Sequence, residues 1–266
     1  MEEFGTSAES FLAASADHQD GVFRMIQYAT KLLGALQHSR RRAGQLQSIS
    51  FNIDNARAMT RTFGFIYAIQ TLRNEGLAQL ERVSALSLLG YHPLEFGYWL
   101  LTVTGAEYKG WRRSLARVVS LLGAIYGVCE IVAAARRLKA LRAEREQLLA
   151  QAYDEADTLG GGVIAEADAD LVETEMETVR RQAWKLGVDT LMCANWALDH
   201  SRLGFGEGAV GALGCCSAYL GLRLKWNAHE DMLLQGIAAQ EAGMIEDESS
   251  PRSSMSNGSG GRRKSQ

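Results

Sequence analysis

Apolar side chains in residues 10–38 recur at Phe11, Val22, Phe23, Ile26, Ala29, Leu32, Leu33 and Leu36. That spacing is close to 3.6 residues and predicts an amphipathic helix or helix pair. Arg40, Arg41 and Arg42 follow it and are expected to close it, where cations complement the negative end of the helix dipole. Residues 49–72 repeat the pattern: Ile49, Ala56, Met59, Phe63, Ile66 and Tyr67 share one stripe, and Arg57 and Arg61 stand one turn apart on the opposite side. A helix of this kind can lie flat on a bilayer, with its apolar face in the headgroup boundary and its arginines on anionic lipid. An ordinary surface helix packed on a core has the same signature.

Two later stretches are apolar enough to raise the question of a membrane span. The stronger is residues 203–222, interrupted only by Glu207, which as a helix is about 30 Å long, near one bilayer core. Gly204 and Gly208 form a GxxxG step, Gly211 and Gly214 continue the glycine run, and Gly214 with Ala218 forms a second small-residue step. Such spacing lets helix backbones approach closely in lipid. Arg223, Lys225 and Trp226 suit an interfacial anchor. A buried helix in a soluble bundle is the rival reading, although each glycine there costs about 1 kcal/mol relative to alanine. The weaker candidate is residues 115–135, whose centre, 118–129, is uncharged and holds a further GxxxG step, Gly123 and Gly127, free to face the C-terminal glycines. Arginines flank it on both sides, so the positive-inside rule sets no orientation.

Elsewhere the punctuation predicts boundaries. Pro93 and Gly97 predict a helix break within 77–103, residues 136–153 read as a charged helix, and Gly160, Gly161 and Gly162 with the acidic stretch to Asp170 read as a loop. A helix resumes near Leu171, and the Ser- and Gly-rich residues 241–266 read as a disordered tail. The organisation expected is an N-terminal amphipathic helical region (1–110), a helical membrane region with a charged central loop (111–240) and the tail (241–266).

Composition sharpens this. With 47% hydrophobic residues and only two prolines in 266, the fold class is all-α: a membrane-associated helical protein with one or two hydrophobic helices. A net charge of -3 offers no global field for nucleic acid. The four cysteines lie in apolar surroundings and suit reduced thiols, the five histidines have no ligand spacing, and neither metal nor cofactor is expected. The N-terminal residues are acidic, so no cleaved targeting segment is expected, and the final Lys-Ser-Gln does not match a Ser-Lys-Leu import signal. Gly206, Gly208 and Gly211 spell G-x-G-x-x-G, yet the preceding residues have helical periodicity and no βαβ alternation surrounds them, so the match is fortuitous. Asp189, Asp199 and His200 have no nucleophile placed beside them by any motif, and catalysis is not expected.

Residues 11–34, through Phe11, Leu12, Asp20, Arg24, Ile26, Gln27, Tyr28, Lys31, Leu32 and Leu33, resemble the opening helix of the peroxin-11 family. Residues 184–226 resemble its C-terminal membrane segment at Lys185, Asp189, Ala194, Asn195, Gly208, Gly211, Gly214, Ser217, Gly221 and Trp226. The resemblance implies a non-enzymatic peroxisomal (or glycosomal) membrane protein that elongates membranes before fission and drives proliferation. It further implies homo-oligomers, and dynamin-type fission GTPases with their adaptors as partners. By position, residues 49–72 correspond to the family's inserting helix, with Met59, Phe63, Ile66 and Tyr67 as inserting residues and Arg57 and Arg61 as headgroup contacts. Helix packing then falls to Gly123, Gly127, Gly204, Gly208, Gly211 and Gly214. A membrane pore or metabolite channel, and a soluble helical scaffold, remain the alternative functions.

Overall fold

The computed structural model describes residues 16–105, 109–154, 161–198 and 204–249, and every regular element among them is an α-helix. In chain order these are α1 (Ala16–Leu36), α2 (Arg40–Thr60), α3 (Gly64–Leu72), α4 (Gln79–Val103), α5 (Lys109–Asp154), α6 (Gly161–Ala197) and α7 (Glu207–Ser249). The chain divides into two compact units, Met1–Trp226 and Asn227–Gln266.

Paired contacts show antiparallel packing throughout the first unit. Along α5 and α6, Gly123 meets Cys193, Gly127 meets Thr190, Arg137 meets Glu175 and Arg145 meets Glu173. The seam between these helices has Ala134, Leu138 and Leu141 facing Val172, Met176 and Val179. Both triplets are spaced by four and then three residues, the interval that keeps apolar knobs on one side of two nearly parallel axes. Likewise α4 lies on α5 through Gly90 against Leu122 and Ser84 bonded to Glu130 at 2.6 Å. Helix α1 runs against α2, with Gln27 donating to Asp54 at 2.8 Å, and also against α7.

Several boundaries differ from the sequence expectation, each for a local reason. Arg40, Arg41 and Arg42 open α2 instead of closing α1, so they sit at the dipole end that cations disfavour. The single helix expected over 49–72 is two, α2 and α3, broken at residues 61–63. Pro93 lies inside a continuous α4. It forfeits one backbone hydrogen bond, and packing on both sides of the helix retains the helical path. Helix α6 starts at Gly161, so the acidic residues 163–170 are helical. Helix α7 continues to Ser249 and takes in the first nine residues of the expected tail; residues 250–266, with Phe11, Leu12, Gly160, Asp199 and His200, lie outside the described residues.

The ranking of the two apolar stretches is reversed. Among the described residues one helix is long and apolar enough to cross a membrane, Gly110–Tyr153, and only 22% of its most apolar stretch is buried inside the protein. Val118, Leu121, Val128 and Val132 face outward there. The glycine-rich start of α7 instead buries Val210, Ser217 and Ala218 in the bundle.

Candidate functional site

The surface around the α2–α3 break is apolar on its outside and ionic on its inside. Met59, Phe63, Ile66 and Tyr67 are all exposed, Phe63 at 70% and Tyr67 at 67%. A monomer in water rarely leaves neighbouring large apolar side chains this open, and such a patch marks a partner or a membrane. Ile49 and Phe51 on α2 add to the exposed apolar surface.

Arg57 and Arg61, expected on headgroups, point the other way. Arg57 is 4% exposed: its Nε and Nη2 donate to Asp20 at 2.8 and 3.1 Å, and Nη1 donates to Gln27. Arg61 donates to Glu95 at 2.8 Å, and the Tyr91 hydroxyl donates to the same carboxylate oxygen. These pairs explain the inversion, because a desolvated guanidinium is held where carboxylates meet it, and removing either partner strands a charge. Burial alone would raise the pKa of Asp20, but the bonds and charge from Arg57 outweigh it and hold the carboxyl below the usual range. For Glu95 burial prevails over Arg61, and its pKa is raised.

A second network joins the two ends of the unit. Arg24 on α1 donates to Asp189 on α6 and, at 3.1 Å, to Ser217 on α7. Lys185 reaches the other oxygen of Asp189 at 3.2 Å, and the Ser217 hydroxyl donates to Asp189 as well. Around it the glycines permit close approach: Gly208 lies on Ala35, Gly211 on the backbone of Leu32, and Gly214 on the ring of Tyr28. Tyr28, Met192 and Val210 form the buried cluster beneath. Gly123 and Gly127 face Cys193, Tyr91 and Thr190 on α6 and α4, not the C-terminal glycines, and Gly204 supplies a turn at φ 70° before α7 with no atom crowding it. Of this interior, sequence reasoning assigned no role to Asp20, Arg24, Gln27, Lys185, Asp189 or Ser217. Yet each is one of the residues on which the family resemblance rests, so an unexplained polar match within an apolar helix was the available signal.

The segments 11–34 and 184–226 are therefore one packed unit in space, through the described part of each. The family model for peroxisomal biogenesis factor 11 (PEX11) matches residues 7–226 of the chain. The chain belongs to the peroxisomal biogenesis factor 11 family. The match ends at Trp226, the residue that closes the first compact unit. Membership assigns it to peroxisome biogenesis and proliferation at the peroxisomal membrane, in a family of biogenesis factors, not of enzymes. The long apolar helix α5 agrees with a membrane association. No curated protein and no solved structure shows significant similarity to the chain.

Proposed function

We propose that this protein elongates the peroxisomal membrane ahead of fission by seating the α2–α3 edge in the lipid surface while α5 anchors it. The observation that carries this reading is the inverted amphipathicity of that edge: Met59, Phe63, Ile66 and Tyr67 outward, Arg57 and Arg61 inward on carboxylates. Fully burying a large apolar side chain is worth about 1.5–3 kcal/mol, so four such residues, half to two-thirds exposed, supply on the order of 5 kcal/mol toward partitioning into one leaflet. Insertion on one leaflet only expands that leaflet and favours curvature. Self-association would concentrate these wedges, and dynamin-type GTPases with their adaptors are the partners proposed for scission.

The full-length protein reconstituted into anionic liposomes is expected to draw them into tubules visible by negative-stain electron microscopy. Phe63→Glu places a charge in the apolar layer and is expected to abolish tubulation while the far-UV circular dichroism stays unchanged. Normal tubulation by a folded Phe63→Glu variant would exclude this edge as the wedge.

A further inference from the structure

A chain of net charge -3 encloses a strongly cationic cavity. It has a volume of about 810 Å³ and lies between α1, α2, α4, α5 and α6, within the size range of small-molecule sites. Helix α1 contributes Arg24 and Lys31 to its wall, α2 and the turn after it contribute Arg57 and Arg61, and α6 contributes Lys185. Helix α5 adds Arg112, Arg113 and Arg117 from its first turns. Against these eight cations the wall holds three carboxylates, Asp54, Glu95 and Asp189, and two more meet it from outside, Asp20 on Arg57 and Glu207 on Lys31, which still leaves cations in excess.

Those carboxylates are already engaged. Asp189 serves Arg24, Lys185 and Ser217, Glu95 serves Arg61 and Tyr91, and Asp54 accepts from Gln27. Even so, two buried atoms of wall residues have no hydrogen-bond partner, Nε of Arg24 and Nδ1 of His92. A buried donor left unsatisfied is costly, and an anion is the partner a guanidinium N–H lacks. Burial, with Arg24 and Lys225 adding to it, draws the Lys185 ammonium below its ordinary range in spite of Asp189.

The location narrows the chemistry further. Arg112, Arg113 and Arg117 immediately precede the uncharged stretch 118–129 of the apolar helix, the level at which a spanning helix passes from acyl chains to phosphates. Aromatic rings share the same wall: Arg112 lies over Tyr98 at 5.8 Å, and Lys31 over Trp196 at 6.0 Å.

We propose that this cavity binds a phosphate-bearing ligand, either the headgroup of an anionic lipid drawn in beside α5 or a free phosphorylated metabolite presenting the same group. The site is separate from the outward edge of α2 and α3 and does not depend on the wedge reading.

The test uses full-length protein in uncharged detergent, titrated with dioctanoyl phosphatidic acid, with inorganic phosphate, and with dihexanoyl phosphatidylcholine as the neutral control, while the melting temperature and the tryptophan fluorescence are followed. Phosphatidic acid is expected to give a saturable rise of about 5 °C or more at a hundredfold excess over Kd. A response to phosphatidic acid alone identifies the lipid source, and a response to inorganic phosphate as well identifies a site open to soluble phosphates. Arg112→Gln combined with Arg113→Gln, on an exposed turn that tolerates substitution, is expected to weaken binding at least tenfold. Arg24→Gln should also weaken it, with the α5 pair deciding the matter if that variant misfolds. Phe63→Glu should bind normally, so failure of the wedge and failure of the cavity are read apart. Equal responses to phosphatidylcholine and phosphatidic acid, no response to either phosphate probe, or unchanged affinity in the α5 double variant would each overturn the proposal.

Discussion

Gly211→Ala decides whether the glycine-rich start of α7 faces another helix or acyl chains. A Cβ added at Gly211 would stand 2.8 Å from both Cα and N of Leu32 and 3.0 Å from its Cβ. Two of these atoms are backbone, so no side chain can swing aside and α1 must shift by roughly half an ångström or more to restore ordinary contact. Overpacking of this kind costs about 1–3 kcal/mol. Alanine recovers up to about 1 kcal/mol of helix propensity over glycine. The net expected is a loss of about 1–2 kcal/mol, which for a chain of this size lowers the melting temperature by about 3–6 °C. Gly44→Ala and Gly187→Ala are the matched controls, since both glycines lie inside helices with nothing within 4 Å of an added Cβ. They keep only the propensity gain and should melt about 2–3 °C above the parent. Thermal melts of the full-length protein in one nonionic detergent, followed by far-UV circular dichroism, provide the comparison. If Gly211→Ala melts with the two controls, residue 211 does not abut α1 and the packing described for α7 is wrong.

Three further outcomes are expected. A Cβ at Gly127 would collide with the hydroxyl of Thr190, so Gly127→Ala should destabilise by about 1–2 kcal/mol and Thr190→Ala should restore about 1 kcal/mol in the double variant; strict additivity of the two changes would refute the contact. Asp189→Asn, which strands Arg24, should cost about 2–3 kcal/mol at pH 7, read as a lower melting temperature. Burial alone would raise the pKa of Asp189, but Arg24, Lys185 and the Ser217 hydroxyl outweigh it and leave it lowered. A lowered folded pKa contributes stability that is complete above the unfolded value, about 3.9, and is lost as pH falls through the folded one. The parent should therefore lose stability below about pH 4, Asp189→Asn should lose less over that interval, and parallel pH profiles would contradict the assignment. Burial also pushes the Cys193 thiol up to about 11, whereas Cys216 is exposed, so iodoacetamide at about pH 8 should modify Cys216 well before Cys193 by peptide mass mapping.

Helix content was legible because it follows from local spacing. The apolar period in residues 16–36, the near absence of proline and the uncharged centre of α5 are properties of a dozen neighbouring residues at a time, and each survives in the fold. Boundaries set by one residue were less so: Pro93 is a strong local breaker, yet α3 and α5 pack along α4 on either side of it and the helix continues. For the candidate site, the exposed stripe Met59, Phe63, Ile66 and Tyr67 could be seen in the sequence, but which side of the helix faced outward could not. Periodicity reports that two faces differ and is silent on which one meets the protein.

By itself, then, the sequence determined an all-helical chain of the peroxin-11 kind, with an apolar edge near residue 63 and an apolar helix able to cross a bilayer. Tertiary structure alone decided that Arg57 and Arg61 turn inward, that Asp20, Asp189 and Glu95 receive arginines from other segments of the chain, and that the glycines of α7 seat α1. The physical reason is that a charge or a missing side chain acquires its meaning from what lies across the gap, and those partners stand up to 193 positions away along the chain, as Arg24 and Ser217 do.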